Sequence, residues 1–313
     1  MHTPSFPWFA LAVSTLAACG GSPTPPAESP APPAAEAAAT PAAPKLSLEV
    51  ITGSPEGFLV TSTLITGEKE AVLIDAQFTL ADAKAVAARI QATNKTLTTV
   101  YVTHAHPDHY FGFPALLEAF PEAKLVALPA TIADIEKTWE AKVKQWKPLY
   151  KEAITDHPIV PEPLAGTSIE LEGEPLEIKG DLQGDAAGNS YVWIPSLSTV
   201  VTGDIVYDQV FPWTAETTPE TRIAWGATLD ALAALGAKSV VPGHQKPEQK
   251  QDPSNVQFTQ GYLKAYDTAL ASSKTPEELQ SKVKAQYPDA ALDVVLKIGS
   301  EASLKPPAKT AKK

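Results

Sequence analysis

The 313-residue sequence contains a single cysteine, Cys19, and a single methionine. Disulfide bonds and thiolate metal ligands are therefore excluded from the rest of the chain, even in an oxidising compartment. Basic residues are also sparse, because 25 Lys and Arg stand against 36 Asp and Glu and the net charge is −11. They form no basic patch, which argues against a nucleic acid partner. No segment beyond the first 18 residues has the length of an apolar membrane span.

The first 18 residues contain no Asp, Glu, Lys or Arg. Residues 9–18 form an apolar run that has the length of a signal-peptide core and is too short to span a bilayer. The run ends in Leu16-Ala-Ala-Cys19-Gly20, which resembles a bacterial lipobox apart from the missing basic residue upstream. This resemblance implies a signal peptide over residues 1–18 and lipidation of Cys19. The alternative is a secretory signal with an incidental cysteine.

Residues 20–45 are dominated by Pro and Ala and contain no aromatic or large aliphatic side chain. Such a segment has nothing to bury, so we expect residues 19–45 to be an extended linker between the lipid anchor and one domain over residues 46–302. Residues 303–313 are rich in Lys, Pro and Ala and are expected to be a flexible tail. The protein is thus predicted to be a periplasm-facing lipoprotein whose only membrane contact is the anchor. Gly20 favours the outer membrane by resemblance to enterobacterial sorting.

Apolar patterning predicts an α/β domain. The first half reads β-β-β-α-β-α-β, over residues 46–51, 58–65, 71–75, 81–91, 97–103, 113–120 and 124–128. A helical segment is predicted over 129–161, followed by strands at 168–171, 175–179, 190–194, 199–202 and 239–241. A helix is expected from Pro219 to Gly236, with Thr218 and Pro219 at its start. The run Thr275-Pro-Glu-Glu278 resembles a capping box and predicts another helix.

Three of the six histidines fall within six positions, in the stretch VTHAHPDHYFG that begins at Val102. Zinc binds imidazole nitrogen and carboxylate oxygen at about 2.0–2.2 Å. His104 and His106 can serve one metal and Asp108 and His109 another if the chain turns between them, and Pro107 supplies the turn. The alternative is a solvated polar loop, which the concentration of histidines disfavours.

The pattern His104-x-His106-x-Asp108-His109 resembles the signature of the metallo-β-lactamase superfamily. Two further motifs follow in the family's order, Thr202-Gly-Asp204 and Pro242-Gly-His244. The resemblance implies an αββα sandwich, here with a C-terminal helical extension, and a metal site at one edge between the sheets. It also implies that Asp204 bridges two metals, that His244 is a ligand and that Asp75 is a buried acid beside the metal loop.

One ligand of the family pattern is missing. The family's third histidine for the first metal belongs in the segment 179–190, which here has no histidine. Its position falls near Gln183, a poor zinc ligand, and Asp185 two residues further on is an acceptable one. We therefore expect one strong zinc site, formed by Asp108, His109, His244 and Asp204. The second site, with His104, His106, Asp204 and at most Asp185, is expected to be weaker.

These features predict a zinc-dependent hydrolase that acts on a small acyl-type substrate such as an amide, lactone, ester, thioester or β-lactam. Asp108 is the expected catalytic residue, orienting the nucleophile and accepting its proton. The alternative is a degenerate relative that binds metal or a small ligand without turnover. Four aromatic residues next to the ligands in sequence could wall the pocket or pack in the core: Tyr110, Phe111, Phe211 and Trp213. The remaining His157 is expected to be a surface residue.

Overall fold

The computed structural model describes residues 46–304. The predicted signal peptide, the lipidation of Cys19, the linker and nearly all of the predicted tail lie outside these residues and stay predictions. Within the described part of the chain, no helix combines the length and the apolar composition needed to cross a bilayer.

The first sheet has six strands in chain order, and its first two strand pairs are antiparallel while the other three are parallel. The strands are β1 Ser47–Thr52, β2 Thr61–Thr66, β3 Glu70–Ile74, β4 Thr96–Val102, β5 Lys124–Ala127 and β6 Glu162–Pro163. Parallel neighbours need crossover connections. Helix α1 (Leu80–Ala92) connects β3 to β4, helix α2 (Phe113–Ala119) connects β4 to β5, and helix α3 (Pro129–Tyr150) follows β5.

The second sheet has five strands in the order β12-β10-β9-β8-β7. In chain order they are β7 Ser168–Leu171, β8 Glu174–Leu182, β9 Asn189–Ile194, β10 Thr199–Val201 and β12 Ser239–Val241. Two short strands, β11 (Tyr207–Asp208) and β13 (His244–Gln245), pair with each other in parallel. Helix α4 (Pro219–Ala234) precedes β12, and three helices follow β13: α5 Ser254–Ala271, α6 Pro276–Gln286 and α7 Asp293–Ser303.

Successive side chains along a strand point to opposite faces of each sheet. In β3, Val72 and Ile74 point into a core between the sheets, whereas Ala71 and Leu73 belong to a second core under the helices. The same alternation divides Val200 from Val201 in β10, and it recurs in β4, β5 and β12. A period of two with apolar residues on both faces is typical of a strand buried on both sides. The layers are therefore helices, sheet, sheet and helices, which confirms the αββα sandwich with C-terminal helices.

The sandwich brings four strand ends together at one edge. Strands β3 and β4 are parallel, so Asp75 and Thr103 leave the first sheet side by side. Strands β10 and β12 are also parallel, so Gly203 and Gly243 leave the second sheet at the same edge. A backbone hydrogen bond from Thr61 N to Gly243 O, 2.8 Å long, joins the two sheets there. The three sequence motifs all follow these strand ends.

The strand expected over residues 58–65 begins later than the sequence suggests. Phe58 and Leu59 have left-handed φ angles of 62° and 55°, because they close a 3-10 turn over Pro55–Gly57. The helical segment expected over 129–161 is also shorter, since α3 ends at Tyr150 and Lys151 has a φ of 47°.

The expected helix starts are present. Thr218 caps α4 with Pro219 at the first helical position, and the hydroxyl of Thr275 accepts from Glu278 N at the start of α6. The Glu278 side chain does not complete a capping box with Thr275, because it accepts from Lys274 N instead. His157 is exposed, as expected.

Candidate metal centre

The histidine motif follows β4 and enters a 3-10 turn over Pro107–His109. His106 is still extended, with φ −75° and ψ 141°, and Pro107 then fixes the bend. The turn is closed by hydrogen bonds from His109 N to His106 O and from Tyr110 N to Pro107 O, each 3.2 Å long. The chain therefore reverses between the first two histidines and the Asp108-His109 pair, as the sequence predicted.

The seven predicted ligand residues lie in two clusters. The first cluster consists of His104, His106, Asp185 and Asp204, and the second of Asp108, His109 and His244. Within each cluster, one nitrogen or oxygen atom per residue lies within 4.8 Å of the others. All these side chains are buried except that of Asp108, which is 14% exposed.

Asp204 lies between the two clusters. Its Oδ1 atom is 3.2 Å from His109 Nε2, and its Oδ2 atom is 3.2 Å from His244 Nε2 and 3.7 Å from His104 Nε2. One carboxylate thus faces both groups of imidazoles, which is the arrangement that a bridging ligand requires.

Several polar atoms in the centre are buried without a hydrogen-bond partner. They are the Nε2 atoms of His104 and His109 and the Oδ1 atom of Asp204. Buried polar atoms are normally hydrogen-bonded, so three such atoms in one place need another partner. Imidazole nitrogen and carboxylate oxygen are the donors that zinc accepts. The residues present therefore fit a metal ion in each cluster.

Hydrogen bonds orient three of the imidazole rings. His109 Nδ1 lies 2.7 Å from Asp75 Oδ2, His244 Nδ1 lies 2.7 Å from Phe58 O, and His104 Nδ1 lies 3.1 Å from Thr103 Oγ1. In each case the bond leaves Nε2 facing the cluster. Partners of this kind fix the tautomer and the orientation of metal-binding histidines.

His106 has the opposite arrangement. Its Nδ1 atom faces the cluster, 3.0 Å from Asp185 Oδ2, and its Nε2 atom lies 3.4 Å from Glu216 Oε1. Glu216 also accepts a 2.9 Å hydrogen bond from Lys142 on α3. The Lys142–Glu216 pair therefore holds the outer side of the His106 ring.

The model of the metallo-β-lactamase superfamily matches residues 55–244, which is more than half of the chain. The chain belongs to the metallo-β-lactamase superfamily. A search of curated protein sequences gave no match.

Solved structures of superfamily members share the fold. A metallo-β-lactamase family protein from Thermus thermophilus has 22% identity and a TM-score of 0.61, over 83% of this chain and 92% of that one. A metallo-β-lactamase from Pontibacter korlensis has 20% identity and a TM-score of 0.54, over 70% of this chain and 95% of that one. At these identities the likeness shows the fold and does not transfer an activity.

Asp185 lies in the first cluster, the one to which the histidine missing from this chain would belong. The carboxylate is fully buried in the first cluster, and it accepts hydrogen bonds from Asn189 Nδ2 at 3.1 Å and from the Tyr207 hydroxyl at 3.2 Å. Gln183 is not in either cluster, and its side-chain amide donates to Gly184 O instead. The residue two positions beyond Gln183 is therefore the one that places a carboxylate in the first cluster.

The glycine of each superfamily motif in the second sheet is required by close packing. A Cβ atom on Gly243 would lie 2.1 Å from Asp204 Oδ1. Gly203 has a φ of +50°, and a Cβ atom there would lie 2.6 Å from Thr103 Oγ1. Larger residues at these two positions would displace Asp204 and the strand end that carries the histidines.

Charge pairing sets the protonation of the metal-free centre. Burial lowers the pKa of His106, but the carboxylates of Asp185 and Glu216 outweigh burial and raise it to about 10. Burial likewise opposes protonation of His244, and Asp204 and Asp108 raise its pKa to about 10.

The pKa of the Asp108 carboxyl group shifts in the opposite direction. Burial raises the pKa of Asp108, but His109 and His244 outweigh burial and hold it well below its usual range. A metal ion would take the place of the protons that the histidines carry.

A pocket with about 510 Å³ of empty space, part of it open to solvent, lies above the centre. Phe211 and Trp213 line it, as the sequence suggested. Tyr110 and Phe111 do not, because the turn at Pro107–His109 directs both into the core, where they are fully buried. Of the two alternatives that the sequence left open for Tyr110 and Phe111, they take the second, packing in the core.

Two residues of the centre were not identified from the sequence. Tyr207 follows Asp204 by three positions, and a 3-10 turn over Gly203–Ile205 brings its hydroxyl back to that carboxylate. Glu216 lies in a loop without a motif, and only the three-dimensional contact with His106 reveals it. The spacing between Asp204 and Tyr207 was the one clue available in the sequence.

Proposed function

We propose that this chain is a zinc-dependent hydrolase of acyl-type small molecules. The observation that carries the proposal is the set of buried, unpartnered imidazole and carboxylate atoms at the base of an apolar pocket. The first cluster, with His104, His106, Asp185 and Asp204, would hold one ion. The second cluster, with Asp108, His109 and His244 and with Asp204 shared, would hold the other. Bound zinc supplies Lewis acidity and makes hydroxide available near neutral pH.

Asp108 has the position expected of the catalytic base. Its Oδ2 atom lies 3.3 Å from His244 Nε2, and the side chain lines the pocket while remaining partly exposed. The low pKa of Asp108 keeps the carboxylate charged, and its partial exposure in the pocket leaves it open to an attacking water, whose proton we assign to it. Hydrolysis adds the water oxygen to the acyl carbon and breaks the bond to the leaving group. The leaving group departs with the proton.

Asp185 affects the predicted difference in zinc affinity between the two sites. The sequence alone predicted that the first site is the weaker one, because it lacks a histidine. We propose that Asp185 restores a full set of donors, so that both sites hold zinc. The order of affinities remains as predicted, since the first cluster has a carboxylate where the superfamily pattern has a third histidine.

The test is a panel of esters, lactones, thioesters, amides and β-lactams with the zinc-loaded protein and two variants. Asp108→Asn is expected to reduce kcat at least a hundredfold on any substrate that the parent hydrolyses. The matched control is Asp156→Asn, an exposed acid, which should leave kcat unchanged. Zinc bound by the parent without hydrolysis of any panel member would favour the second candidate, a metal-binding relative without turnover.

We also propose that the protein is anchored through a lipid on Cys19 and faces the periplasm, on the outer membrane. The support is the lipobox-like sequence and the Pro/Ala-rich segment that follows it. Replacing the cysteine by serine (Cys19→Ser) should move the protein from the membrane fraction to the soluble periplasmic fraction. Metabolic labelling with a fatty acid should label the parent alone, and labelling of the variant would contradict the proposal.

A further inference from the structure

Part of the pocket wall comes from outside the segment that the superfamily model matches. That segment ends at residue 244, whereas Leu292 and Val295 lie on the pocket at the start of α7. They face four aromatic lining residues: Phe58, Trp146, Phe211 and Trp213. The C-terminal helical extension therefore takes part in the site and does not merely cover the core.

Two backbone hydrogen bonds fix the start of α7 to the pocket. Phe211 N donates to Ala291 O, and Ala291 N donates to Gln209 O, each over 2.9 Å. Val210 and Ala291 thereby form a parallel bridge between the segment after β11 and the residues before α7. Leu292 then adopts a left-handed φ of 69°, which begins the helix beside the pocket.

The helix also contacts the loop that carries Trp213 and Glu216. A Cβ atom on Gly299 would lie 2.2 Å from Thr214 Oγ1, so α7 and this loop approach closely. Helix α7 therefore supports the pocket wall in two ways, by lining it directly and by holding the loop opposite.

Among the described residues that line the pocket, none carries a free positive charge apart from the histidines of the metal centre. Lys142 is the one Lys or Arg in this set, and it is paired with Glu216 at 2.9 Å. Asp108, Asp204 and Glu216 make the polar part of the wall acidic. A carboxylate on a substrate would find no unpaired cationic side chain on this described wall, whereas an apolar group would find aromatic and aliphatic side chains.

We infer that the wall formed by α7 binds an uncharged, apolar acyl group, and that the preferred substrates are neutral acyl compounds, for which simple carboxylic esters serve as probes. This inference rests on the proposed function, since it names the substrate class of the same site. Hydrolysis of these esters consumes one water, breaks the acyl carbon–oxygen bond and yields a carboxylic acid and an alcohol. The apolar chain lies against Val295 and Leu292 and presents the carbonyl group to the metal centre.

The experiment compares the zinc-loaded parent with Val295→Trp and with Val294→Trp, its neighbour on α7. Val295 is buried on the pocket, while Val294 is 48% exposed. The substrates are 4-nitrophenyl acetate, butyrate and octanoate. Val295→Trp is expected to raise KM for the octanoate roughly tenfold or more relative to the acetate, as losing contacts with about two methylene groups would. Val294→Trp should match the parent.

A second variant tests the inference even if Val295→Trp does not fold. Val295→Ala removes two methyl groups from the wall and should raise the ratio of KM for the octanoate to KM for the acetate about threefold to tenfold. Equal KM values for the octanoate in the parent and both Val295 variants would overturn the inference. Equally efficient hydrolysis of 4-nitrophenyl butyrate and the monoanionic 4-nitrophenyl glutarate would overturn the charge argument.

A binding measurement separates failure of this inference from failure of the proposed function. Calorimetric titration with 2-octanone, a neutral ketone that cannot be hydrolysed, reports on the wall without catalysis. If no ester, lactone, thioester, amide or β-lactam of the panel is hydrolysed but 2-octanone binds the parent and not Val295→Trp, binding by the α7 wall is supported and the hydrolase proposal fails. If esters are hydrolysed but 2-octanone binds the parent and Val295→Trp equally, the hydrolase proposal is supported and the proposed binding by the α7 wall is overturned.

Discussion

The hydroxyl group of Tyr207 donates a 2.6 Å hydrogen bond to Asp204 Oδ2, the carboxylate that lies between the two clusters. The ring of the same tyrosine stacks on His244, with 5.2 Å between ring centroids and 3° between ring planes. The parallel pairing of β11 with β13 sets Tyr207 directly opposite His244 and so produces the stack, while the turn over Gly203–Ile205 brings the hydroxyl group to Asp204. One side chain therefore positions two residues of the metal centre.

Tyr207→Phe should weaken zinc binding without disturbing the fold. The phenylalanine ring keeps the stack on His244, but Asp204 loses a hydrogen bond to a charged group, worth about 1.5–3 kcal/mol. We expect zinc affinity to fall roughly tenfold to a hundredfold, measured by competition with a chromophoric chelator. The control is Tyr262→Phe, because the Tyr262 hydroxyl is buried without a partner and outside the centre. Equal zinc affinity in both variants would refute this role for Tyr207.

Asp75→Asn should act through His109. Asp75 has a left-handed φ of 63°, which asparagine tolerates, so the backbone is expected to stay in place. The variant loses the negative charge of the Asp75 carboxylate. That carboxylate fixes the His109 ring, and it accepts hydrogen bonds from Thr103 N and Oγ1, each 2.9 Å long. Zinc affinity of the second cluster should fall roughly tenfold to a hundredfold. Parent-like affinity, measured by the same chelator competition, would show that Asp75 supports only the backbone.

Asp185→Asn should reduce the zinc content of the dialysed protein from about two ions per chain toward one. The amide lacks the charge that the carboxylate offers the first cluster, while the second cluster keeps its own donors. The control is Asp181→Asn, an exposed acid of the same segment, which should keep the parent content. Gln183→His should add no further ion, since Gln183 lies outside both clusters. Elemental analysis that finds two ions in Asp185→Asn would exclude Asp185 as a ligand.

The metal-free protein should lose stability as the pH rises above neutrality. His106 and His244 have folded-state pKa values of about 10, above the unfolded value of about 6.5. Their contribution is fully present below about pH 6.5 and is lost as the pH rises toward 10, because the folded state there binds more protons than the unfolded state. Urea denaturation with a chelator at about pH 7 and about pH 9 should show the decline. The zinc-loaded protein should lack it, because metal replaces these protons.

The sequence alone predicted the sandwich, and the seven residues that it named as metal ligands lie in the two clusters, because both depend on local patterns. Their binding of metal stays a prediction. The alternation in β3 and β10 and the spacing of the motif from His104 to His109 need no knowledge of distant contacts. Asp185 could only be offered as an option, since its burial depends on Asn189 and Tyr207 closing around it.

Contacts between distant segments account for what the sequence did not reveal. Helices α5 and α7 were expected only as an unspecified extension, and the packing of α7 on the pocket was not foreseen. The contact of Glu216 with His106 and the burial of Tyr110 depend on how remote segments pack, and no local pattern encodes either.

The centre and the core around it contain no sulfur, because residues 46–304 contain neither cysteine nor methionine. Thiolates and thioethers are the side chains that peroxides oxidise most readily, and thiolates also exchange with disulfides. A centre with only imidazole and carboxylate donors cannot lose a ligand through sulfur oxidation. Hydrogen peroxide at concentrations that inactivate thiolate-ligated zinc proteins should therefore leave this centre loaded, and thiol reductants should have no sulfur in this domain to act on.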